Sequence, residues 1–255
     1  MNTAPDFLRL PSRTTKPRRR GLTHVLDKGL PVEEVAGLLG VCGPYVDIWK
    51  FGWGTAYLDP GLPAKLEVLR RHDVLACTGG TLLEVAWHQG VATEYLAWAA
   101  DVGFPCVEVS SGVAPIGPRE KAGLIQAAGE RFVVLAEIGS KDPAAPVSPD
   151  AWAAAAVADR EAGAAWVVTE GRESGTVGLF NGSGDVRGEV ADAVVAAVGA
   201  DCVVFEAPRK EQQAWLVRRF GADVGLGNLA PAEVLGVEAL RLGLRADTFG
   251  TAGPR

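Results

Sequence analysis

The chain of 255 residues predicts an α/β fold, a single (β/α)8 TIM barrel with short irregular N- and C-terminal extensions. Short apolar runs typical of buried strands recur along it, and segments with the apolar spacing of helices separate them. Eight such units follow one another within roughly 230 residues, the size of one barrel of this type. No G-x-G-x-x-G pattern follows the first strand, which disfavours a doubly wound sheet that binds a dinucleotide. We therefore expect one domain over residues 1–255, with the barrel core at about residues 21–245.

The predicted strands are apolar in their interiors, because the strands of a parallel barrel are covered on both faces. Segments such as "FVVLA" and "CVVF" have this continuous apolar character, which distinguishes them from strands with one wet face. In chain order, the eight strands are expected at residues 22–27, 45–50, 73–78, 105–110, 131–138, 165–170, 201–206 and 223–228.

Between the strands, prolines, acidic residues and glycines mark where helices begin and end. Pro31 followed by Glu33 and Glu34 predicts a first helical turn. Proline suits the first helical position, and acidic side chains favour the positive end of the helix dipole. Pro231 with Glu233 predicts a similar start after the eighth strand. Helix ends before the next strand are expected at Gly129, Gly163 and Gly221.

Composition argues against several classes of partner. The net charge of −6 disfavours nucleic-acid binding, and no apolar stretch approaches the length of about 20 residues that a membrane span needs. The four cysteines show no C-x-x-C spacing and the amino terminus has no apolar signal segment, so we expect free thiols and a cytoplasmic protein. The basic run at residues 18–20 is expected to be solvated, with folding back over a site or an interface as the alternative.

Polar or charged residues stand at the predicted carboxyl end of every strand. From the first strand to the eighth they are Asp27 and Lys28; Asp47 and Lys50; Thr78, Gly79, Gly80, Thr81 and Glu84; Glu108; Glu137 and Lys141; Glu170, Arg172 and Glu173; Glu206, Arg209 and Lys210; Gly227 and Asn228. One acidic residue at such a place is usually a helix cap or a solvated loop residue. Burying the whole set would cost several kcal/mol for each charge unless the charges pair or bind a ligand. Because the carboxyl ends of barrel strands form the active site, the set predicts a site for Mg²⁺ and an anionic substrate.

Two glycine-containing segments suggest a phosphate site. Gly79 and Gly80 open a predicted helix, whose free N–H groups attract anions. Gly227 and Asn228 follow the eighth strand, and Arg209 and Lys210 follow the seventh; together these ends form the usual phosphate corner of a barrel. Glycine turns at strand ends also occur for backbone reasons alone, so each segment allows both interpretations. Neighbouring strand residues point to opposite sides, which leaves open whether Lys28 and Lys50 face the site.

Nine motifs together resemble the phosphosulfolactate synthase family of coenzyme M biosynthesis. They are "GLTHVLDKGL", "YVDIWKFGWGTAYL", "GGTLLE", "VEVSSG", "EIGSK", "TEGRESG", "FEAPRKEQQ", "LGN" and "LRADTF", and they extend over about residues 17–249. The resemblance implies a (β/α)8 barrel that catalyses the Mg²⁺-dependent addition of sulfite to phosphoenolpyruvate, which gives (2R)-2-O-phospho-3-sulfolactate. A lysine at the end of the fifth strand is the proposed acid in that family, and "EIGSK" implies this role for Lys141.

The residues and the resemblance together predict a carbon–sulfur lyase with Mg²⁺ as its cofactor. Lys141, Lys50 and Arg172 are the candidate catalytic residues. The candidate metal ligands are Asp47, Glu84, Glu108, Glu137 and Glu170, of which two or three are expected to serve. The candidate substrate-binding residues are Lys28, Lys50, Arg172, Arg209, Lys210, Gly79, Gly80, Gly227 and Asn228. Glu173 and Glu206 are expected to orient Arg172 and its neighbours.

Two alternatives remain at this point. The same site could add another nucleophile to phosphoenolpyruvate or to a similar enol phosphate, or the chain could be a non-catalytic, stress-associated relative. The expected partners are phosphoenolpyruvate and sulfite, with neither nucleic acid nor membrane. We also expect a homo-oligomer, with a trimer as one possible state.

Overall fold

The computed structural model describes residues 7–250 and shows eight parallel strands that close into one barrel. The strands follow their order in the sequence, and β8 pairs with β1 to complete the ring. The strands are β1 (Thr23–Asp27), β2 (Ile48–Phe51), β3 (Leu75–Thr78), β4 (Cys106–Val109), β5 (Val133–Ile138), β6 (Trp166–Thr169), β7 (Val203–Glu206) and β8 (Gly225–Leu229). The predicted (β/α)8 barrel is confirmed. Residues 1–6 and 251–255 of the two predicted extensions lie outside the described residues.

Each strand begins one to three residues later than the sequence predicts. The second strand shows the largest difference: Tyr45 belongs to a 3₁₀ turn, Gly43–Tyr45, and the ladder starts at Ile48 opposite His24. Tyr45 and Val46 are apolar and precede the strand, so the hydrophobic pattern alone cannot separate them from it. The eighth strand ends at Leu229, one residue later than predicted, because its pairing with β1 contains a register shift.

Ten helices surround the barrel within residues 7–250. They are α1 (Val32–Cys42), α2 (Thr55–Leu58), α3 (Leu62–Arg71), α4 (Gly80–His88), α5 (Ala92–Val102), α6 (Pro118–Gly129), α7 (Pro149–Glu161), α8 (Gly188–Val198), α9 (Lys210–Phe220) and α10 (Val234–Arg241). Pro31 caps α1, and Gly221 follows α9 with a positive φ of 91°, as predicted. In this part of the chain none of the helices has the length and apolarity to cross a bilayer.

The barrel interior is apolar near the amino ends of the strands and charged near their carboxyl ends. The lower layer consists of Leu22, Ile48, Cys77, Cys106, Leu135, Val168 and Val204. On β2 the alternation of the strand turns Ile48 and Lys50 inward, while Trp49 packs outward in the core between strands and helices. The same alternation places Glu206 on the inner face above Val204. The apolar layer therefore forms a floor beneath a charged layer.

The amino-terminal segment folds back over the bottom of the barrel. Arg13 bonds the carboxylates of Asp223 (2.8 Å) and Glu238 (3.1 Å). Arg18 has a side chain that is only 3% exposed, and it contacts Asp47 at 3.1 Å. The predicted solvated segment is therefore wrong for Arg18, since its guanidinium finds a buried carboxylate at the amino end of β2.

Arg241 holds the seam between the first and last strands. It is fully buried and donates to the backbone carbonyls of Leu22 (3.2 Å), Ala222 (2.7 Å) and Val224 (2.5 Å). The carbonyls of Ala222 and Val224 precede β8, and that of Leu22 precedes β1 and also accepts the Leu226 N–H at 2.9 Å. The side chain thus supplies buried donors to the carbonyls of Ala222 and Val224 and a second donor to that of Leu22.

We expect Arg241→Met to lower the free energy of unfolding by about 3 kcal/mol, because methionine leaves buried carbonyl acceptors unpaired. Urea denaturation followed by circular dichroism measures the change. Arg219→Met is the matched control, since Arg219 pairs with Asp192 on the surface and should change stability by less than about 0.5 kcal/mol. Equal effects of the two substitutions would contradict this role of Arg241.

Candidate active site

A cavity of about 190 Å³ opens at the carboxyl end of the barrel. Residues from nearly every strand end contribute to it. The lining consists of Leu26, Lys50, Trp53, Gly79, Gly80, Thr81, Glu108, Val113, Glu137, Lys141, Glu170, Arg172, Glu173, Glu206 and Asn228. The structure therefore brings most of the predicted site residues to one place.

Lys50 occupies the centre of the charged layer. Its Nζ lies 2.9 Å from Glu108 Oε2 and 3.1 Å from Glu206 Oε1, and all three side chains are buried. Burial by itself would lower the pKa of Lys50, but Glu108, Glu206 and Glu137 outweigh it and raise that pKa well above its ordinary value. Lys50 is therefore a fixed ammonium that neutralises part of the surrounding negative charge.

Glu108, Glu137 and Glu206 form an acidic triad. Each offers one carboxylate oxygen, and the three atoms lie within 4.8 Å of one another on β4, β5 and β7. Hard divalent cations such as Mg²⁺ prefer oxygen ligands of this kind. The triad could therefore hold a metal ion, and Glu206 joins Glu108 and Glu137 in it rather than only orienting neighbouring groups.

Glu170 lies beside the triad and has an unsatisfied oxygen. Its Oε1 accepts the backbone N–H of Arg172 at 2.7 Å, whereas its Oε2 is buried without a hydrogen-bond partner. Burial, together with the nearby charges of Glu137 and Glu206, raises the pKa of Glu170 to about 10. Burial also raises the pKa of Glu206 to about 7, despite the opposing effect of Lys50. Crowding of buried carboxylates therefore favours the protonated form of part of this group.

Lys141 reaches into the cavity from the loop after β5. Its Nζ lies 3.1 Å from Glu137 Oε1, 3.6 Å from Glu170 Oε2 and 3.7 Å from Glu84 Oε1. Burial opposes its charge, but these carboxylates prevail and raise the pKa of Lys141 above its ordinary value. The side chain is 19% exposed and lines the cavity, so the protonated ammonium is accessible there.

Glu84 binds the loop between β4 and α6. Its carboxylate accepts from the Ser110 hydroxyl and from the backbone N–H groups of Gly112 (3.2 Å), Val113 (2.7 Å) and Ala114 (2.6 Å). Both oxygens are thus engaged by protein donors. Of the candidate metal ligands, Glu84 is the one whose contacts favour a role in positioning a loop.

Three residues at the cavity have a left-handed backbone although they are not glycine. Arg172 has a φ of 50°, Trp53 of 53° and Asn228 of 52°, and each lines the cavity. Such a conformation costs of order 1–3 kcal/mol and persists where the surroundings impose it, as they do at functional sites. Arg172 lies exposed at the mouth, where its guanidinium contacts the carbonyl of Lys141 at 3.4 Å. Trp53 was not among the predicted site residues, because an isolated tryptophan after a strand carries no chemical signal.

The first turn of α4 already holds a carboxylate. Gly79 and Gly80 line the cavity as predicted, but the Gly80 N–H donates to Glu108 Oε1 at 2.9 Å. The positive end of this helix dipole therefore stabilises Glu108.

Several predicted residues lie away from the cavity. Asp47 precedes β2 instead of ending it; it bonds Arg18 and the Thr23 N–H at the opposite end of the barrel. Lys210 pairs with Asp247 at 3.1 Å, and Arg209 extends along the surface to the carbonyl of Ser183 at 3.4 Å.

On the remaining strand ends, alternation decides which side chain enters the cavity. Asp27 points outward to Lys65 and Trp49. The exposed Lys28 lies over the Trp53 ring with its Nζ 5.9 Å from the ring centroid. Gly227 is not among the residues that line the cavity.

Comparison with known proteins identifies relatives along almost the whole chain. The family model for (2R)-phospho-3-sulfolactate synthase (ComA) matches residues 11–247. A phosphosulfolactate synthase of Bacillus subtilis (strain 168) is 39% identical over 248 residues, covering 96% of this chain and 98% of that protein. The phosphosulfolactate synthase of Methanocaldococcus jannaschii is 41% identical over 238 residues, covering 91% and 95%.

Solved structures with little sequence similarity share the fold. A 3-hexulose-6-phosphate synthase matches with a TM-score of 0.55 at 17% identity, over 86% of this chain and 99% of the other. The deoxyribose phosphate aldolase of Aeropyrum pernix matches with a TM-score of 0.53 at 15% identity, over 87% and 89%. At such identities these matches support the barrel architecture alone.

The raised pKa of Glu206 predicts how stability depends on pH. A carboxyl whose folded-state pKa lies above its unfolded value contributes stability below the ordinary value of 4.5, and this contribution disappears as pH rises through about 7. In chelator-treated protein, we therefore expect the free energy of unfolding to fall between about pH 5 and pH 8, and Glu206→Gln to flatten that fall. Urea titrations of both proteins at several pH values measure the free energy of unfolding. An unchanged pH profile in the variant would contradict the assignment.

Proposed function

Because the chain belongs to the (2R)-phospho-3-sulfolactate synthase family of lyases, we propose that it adds sulfite to phosphoenolpyruvate in a Mg²⁺-dependent reaction. The product is (2R)-2-O-phospho-3-sulfolactate. One observation carries the proposal: the Lys141 ammonium and the acidic triad line the same small cavity at the carboxyl end of the barrel. This arrangement suits a reaction that needs both a proton donor and stabilisation of developing negative charge.

Size and charge of the cavity support a small anionic substrate. A volume of about 190 Å³ is suited to a three-carbon phosphorylated acid rather than to a nucleotide or a sugar polymer. Lys50, Lys141 and Arg172 supply positive charge around it. Among residues 7–250, no carboxylate lies within 4 Å of the Arg172 guanidinium, so its charge is available to an anion entering at the mouth.

The oxygen atoms around the triad fit a divalent cation. Glu108, Glu137 and Glu206 would hold it, and the buried Glu170 Oε2, which has no hydrogen-bond partner, offers a further oxygen in the same cavity. When bound, Mg²⁺ supplies positive charge that stabilises the negative charge developing on the substrate carboxylate. Lys50 bonds two of these carboxylates, those of Glu108 and Glu206, and neutralises part of their charge.

The reaction forms one C–S bond and one C–H bond, and no group leaves. The sulfur lone pair of sulfite attacks C3 of phosphoenolpyruvate, and the electrons of the double bond move toward C2 and its carboxylate. Lys141 then donates its proton from Nζ to C2. Although neighbouring carboxylates raise the pKa of Lys141, the carbanionic C2 is a far stronger base, so the transfer is favourable. Delivery from one side of the cavity fixes the R configuration.

Location and assembly follow as extensions of the proposal. We propose a cytoplasmic enzyme, a location supported by free cysteines such as the adjacent Cys77 and Cys106. We also propose a homo-oligomer. The exposed apolar side chains of Tyr57, Leu58 and Val85 support it, because isolated monomers seldom expose large apolar patches.

Lys141→Ala should lower kcat by at least about 100-fold, because general acid catalysis typically contributes 10²–10⁴-fold. Product formation from phosphoenolpyruvate, sulfite and Mg²⁺ is followed by ³¹P NMR, and the melting temperature confirms folding. Lys210→Ala serves as the control, since Lys210 bonds Asp247 outside the cavity and its loss should leave kcat within about twofold. Undiminished turnover in Lys141→Ala would rule out the acid role. A panel of other nucleophiles, tested with wild-type protein, separates sulfite addition from the alternative activity.

Glu137→Gln should weaken divalent-cation binding by at least about tenfold, since even outer partners of metal ligands contribute that much. Titration with Mn²⁺ as a paramagnetic substitute, read by electron paramagnetic resonance, measures the affinity without relying on turnover. The control is Glu173→Gln, because Glu173 lines the cavity outside the triad. Equal affinities of wild type and Glu137→Gln would exclude the triad as the metal site.

A further inference from the structure

His24 is a buried titratable residue that the proposed mechanism does not use. It lies on β1, directly beneath the charged layer, with no exposed surface. Its Nδ1 accepts the backbone N–H of Asn228 at 3.3 Å, and its Nε2 has no hydrogen-bond partner. An imidazole that accepts at Nδ1 is neutral and carries its proton on Nε2. Burial and the charge of Lys50 lower the pKa of His24 well below its ordinary value, which agrees with this state.

The hydrogen bond lies where the pairing of β1 and β8 is irregular. Thr23 pairs with Leu226 and Val25 pairs with Leu229, so two steps along β1 correspond to three along β8. One extra residue on β8 defines a bulge opposite His24, and a bulge leaves a backbone N–H without a partner in the ladder. At this bulge the His24 side chain supplies the missing acceptor for Asn228.

The bulge also decides where the Asn228 side chain points. Leu226 and Leu229 both pack in the outer core with Val237, although they are three residues apart. In a regular strand they would face opposite sides; the extra residue returns Leu229 to the outer face and leaves Asn228 directed to the cavity. Asn228 adopts a φ of 52°, and its Oδ1 is buried without a partner. The amide is thus held in a strained position with an unused acceptor.

Gly227 completes the arrangement. A Cβ at this position would stand 2.8 Å from His24 Nδ1 and 3.0 Å from Val204 Cγ1. The absence of a side chain therefore lets the imidazole approach the bulged backbone. The close approach of His24 therefore explains why position 227 is a glycine, without a role in phosphate binding.

We infer that His24 is a positioning residue that holds the β8 bulge, so that the Asn228 amide faces the substrate. The inference rests on the proposed function, because it assigns the Asn228 amide to phosphoenolpyruvate or its sulfonated product. His24 itself touches neither; it acts through the backbone of Asn228. The chemical requirement at position 24 is an acceptor at the place of Nδ1, and imidazole size alone does not meet it.

Three substitutions separate the acceptor from the volume. His24→Asn places an amide oxygen near the position of Nδ1. His24→Gln places its amide near Nε2 and keeps more of the volume. His24→Leu keeps most of the volume and removes the acceptor. We expect kcat/KM for phosphoenolpyruvate to stay within about threefold of wild type in His24→Asn and to fall about tenfold or more in the other two. Retained kcat/KM in His24→Gln with loss in His24→Asn, or equal losses in all three, would overturn the inference. Melting temperatures, which follow volume, should rank His24→Gln above His24→Asn.

A double-mutant cycle tests whether His24 acts through Asn228. Asn228→Gly removes the amide and relieves the left-handed strain, so His24→Leu should lower kcat/KM by less than about twofold in that background. If His24→Leu has its full effect in the Asn228→Gly background, His24 acts independently of Asn228, and the proposal is wrong.

Crystal structures give a readout that needs no turnover. In His24→Leu, the φ of Asn228 should leave the left-handed region, whereas in His24→Asn it should remain there. A left-handed Asn228 in His24→Leu would refute the positioning role. If wild-type protein forms no product from phosphoenolpyruvate and sulfite, the proposed function fails, and these structures alone decide whether His24 sets the conformation of Asn228.

Discussion

Inside the upper barrel, carboxylates outnumber the ammonium groups that neutralise them. The carboxylates are those of Glu84, Glu108, Glu137, Glu170 and Glu206, and the two buried or half-buried ammonium groups are those of Lys50 and Lys141. Water cannot stabilise these charges, so each needs a partner, a proton or a ligand. The short contacts of Lys50, the raised pKa of Glu170 and the amide cluster around Glu84 are three responses to this one excess of negative charge.

Buried lysines outside the barrel extend this electrostatic arrangement. Lys65 of α3 bonds Asp27 (3.3 Å) and Asp59 (2.6 Å), and Lys121 of α6 bonds the carbonyl of Glu137 (2.7 Å) as well as Asp159. Both lysines hold the backbone at or near strand ends that carry site residues. The inner charged layer is therefore fixed from outside by helices, and its geometry depends on the packing of those helices against the strands.

Periodicity and strand-end chemistry were sufficient to predict the barrel and the meeting of Lys50, Lys141 and Glu170. The same criteria failed for Asp47. The apolar residues before β2 cannot be distinguished from the start of a strand, so the predicted strand included residues that precede the observed one. These criteria also failed for Arg209, whose surroundings depend on how the loop after β6 folds. The inward side of Glu206 could have been read from its alternation with Val204. The β8 bulge that directs Asn228 inward breaks that same alternation, and sequence spacing alone gives no sign of it.

The contacts of the amino-terminal segment have a consequence for how the chain matures. Arg13 reaches Asp223 and Glu238, which are made more than 200 residues later, and Arg241 joins the first strand to the last. During synthesis, the early βα units emerge from the ribosome without their closing partners, and their first and last edges stay open until translation is nearly finished. Closure of the barrel is thus a late event. For most of the time of synthesis the nascent chain has an unpaired strand edge, which is prone to aggregation.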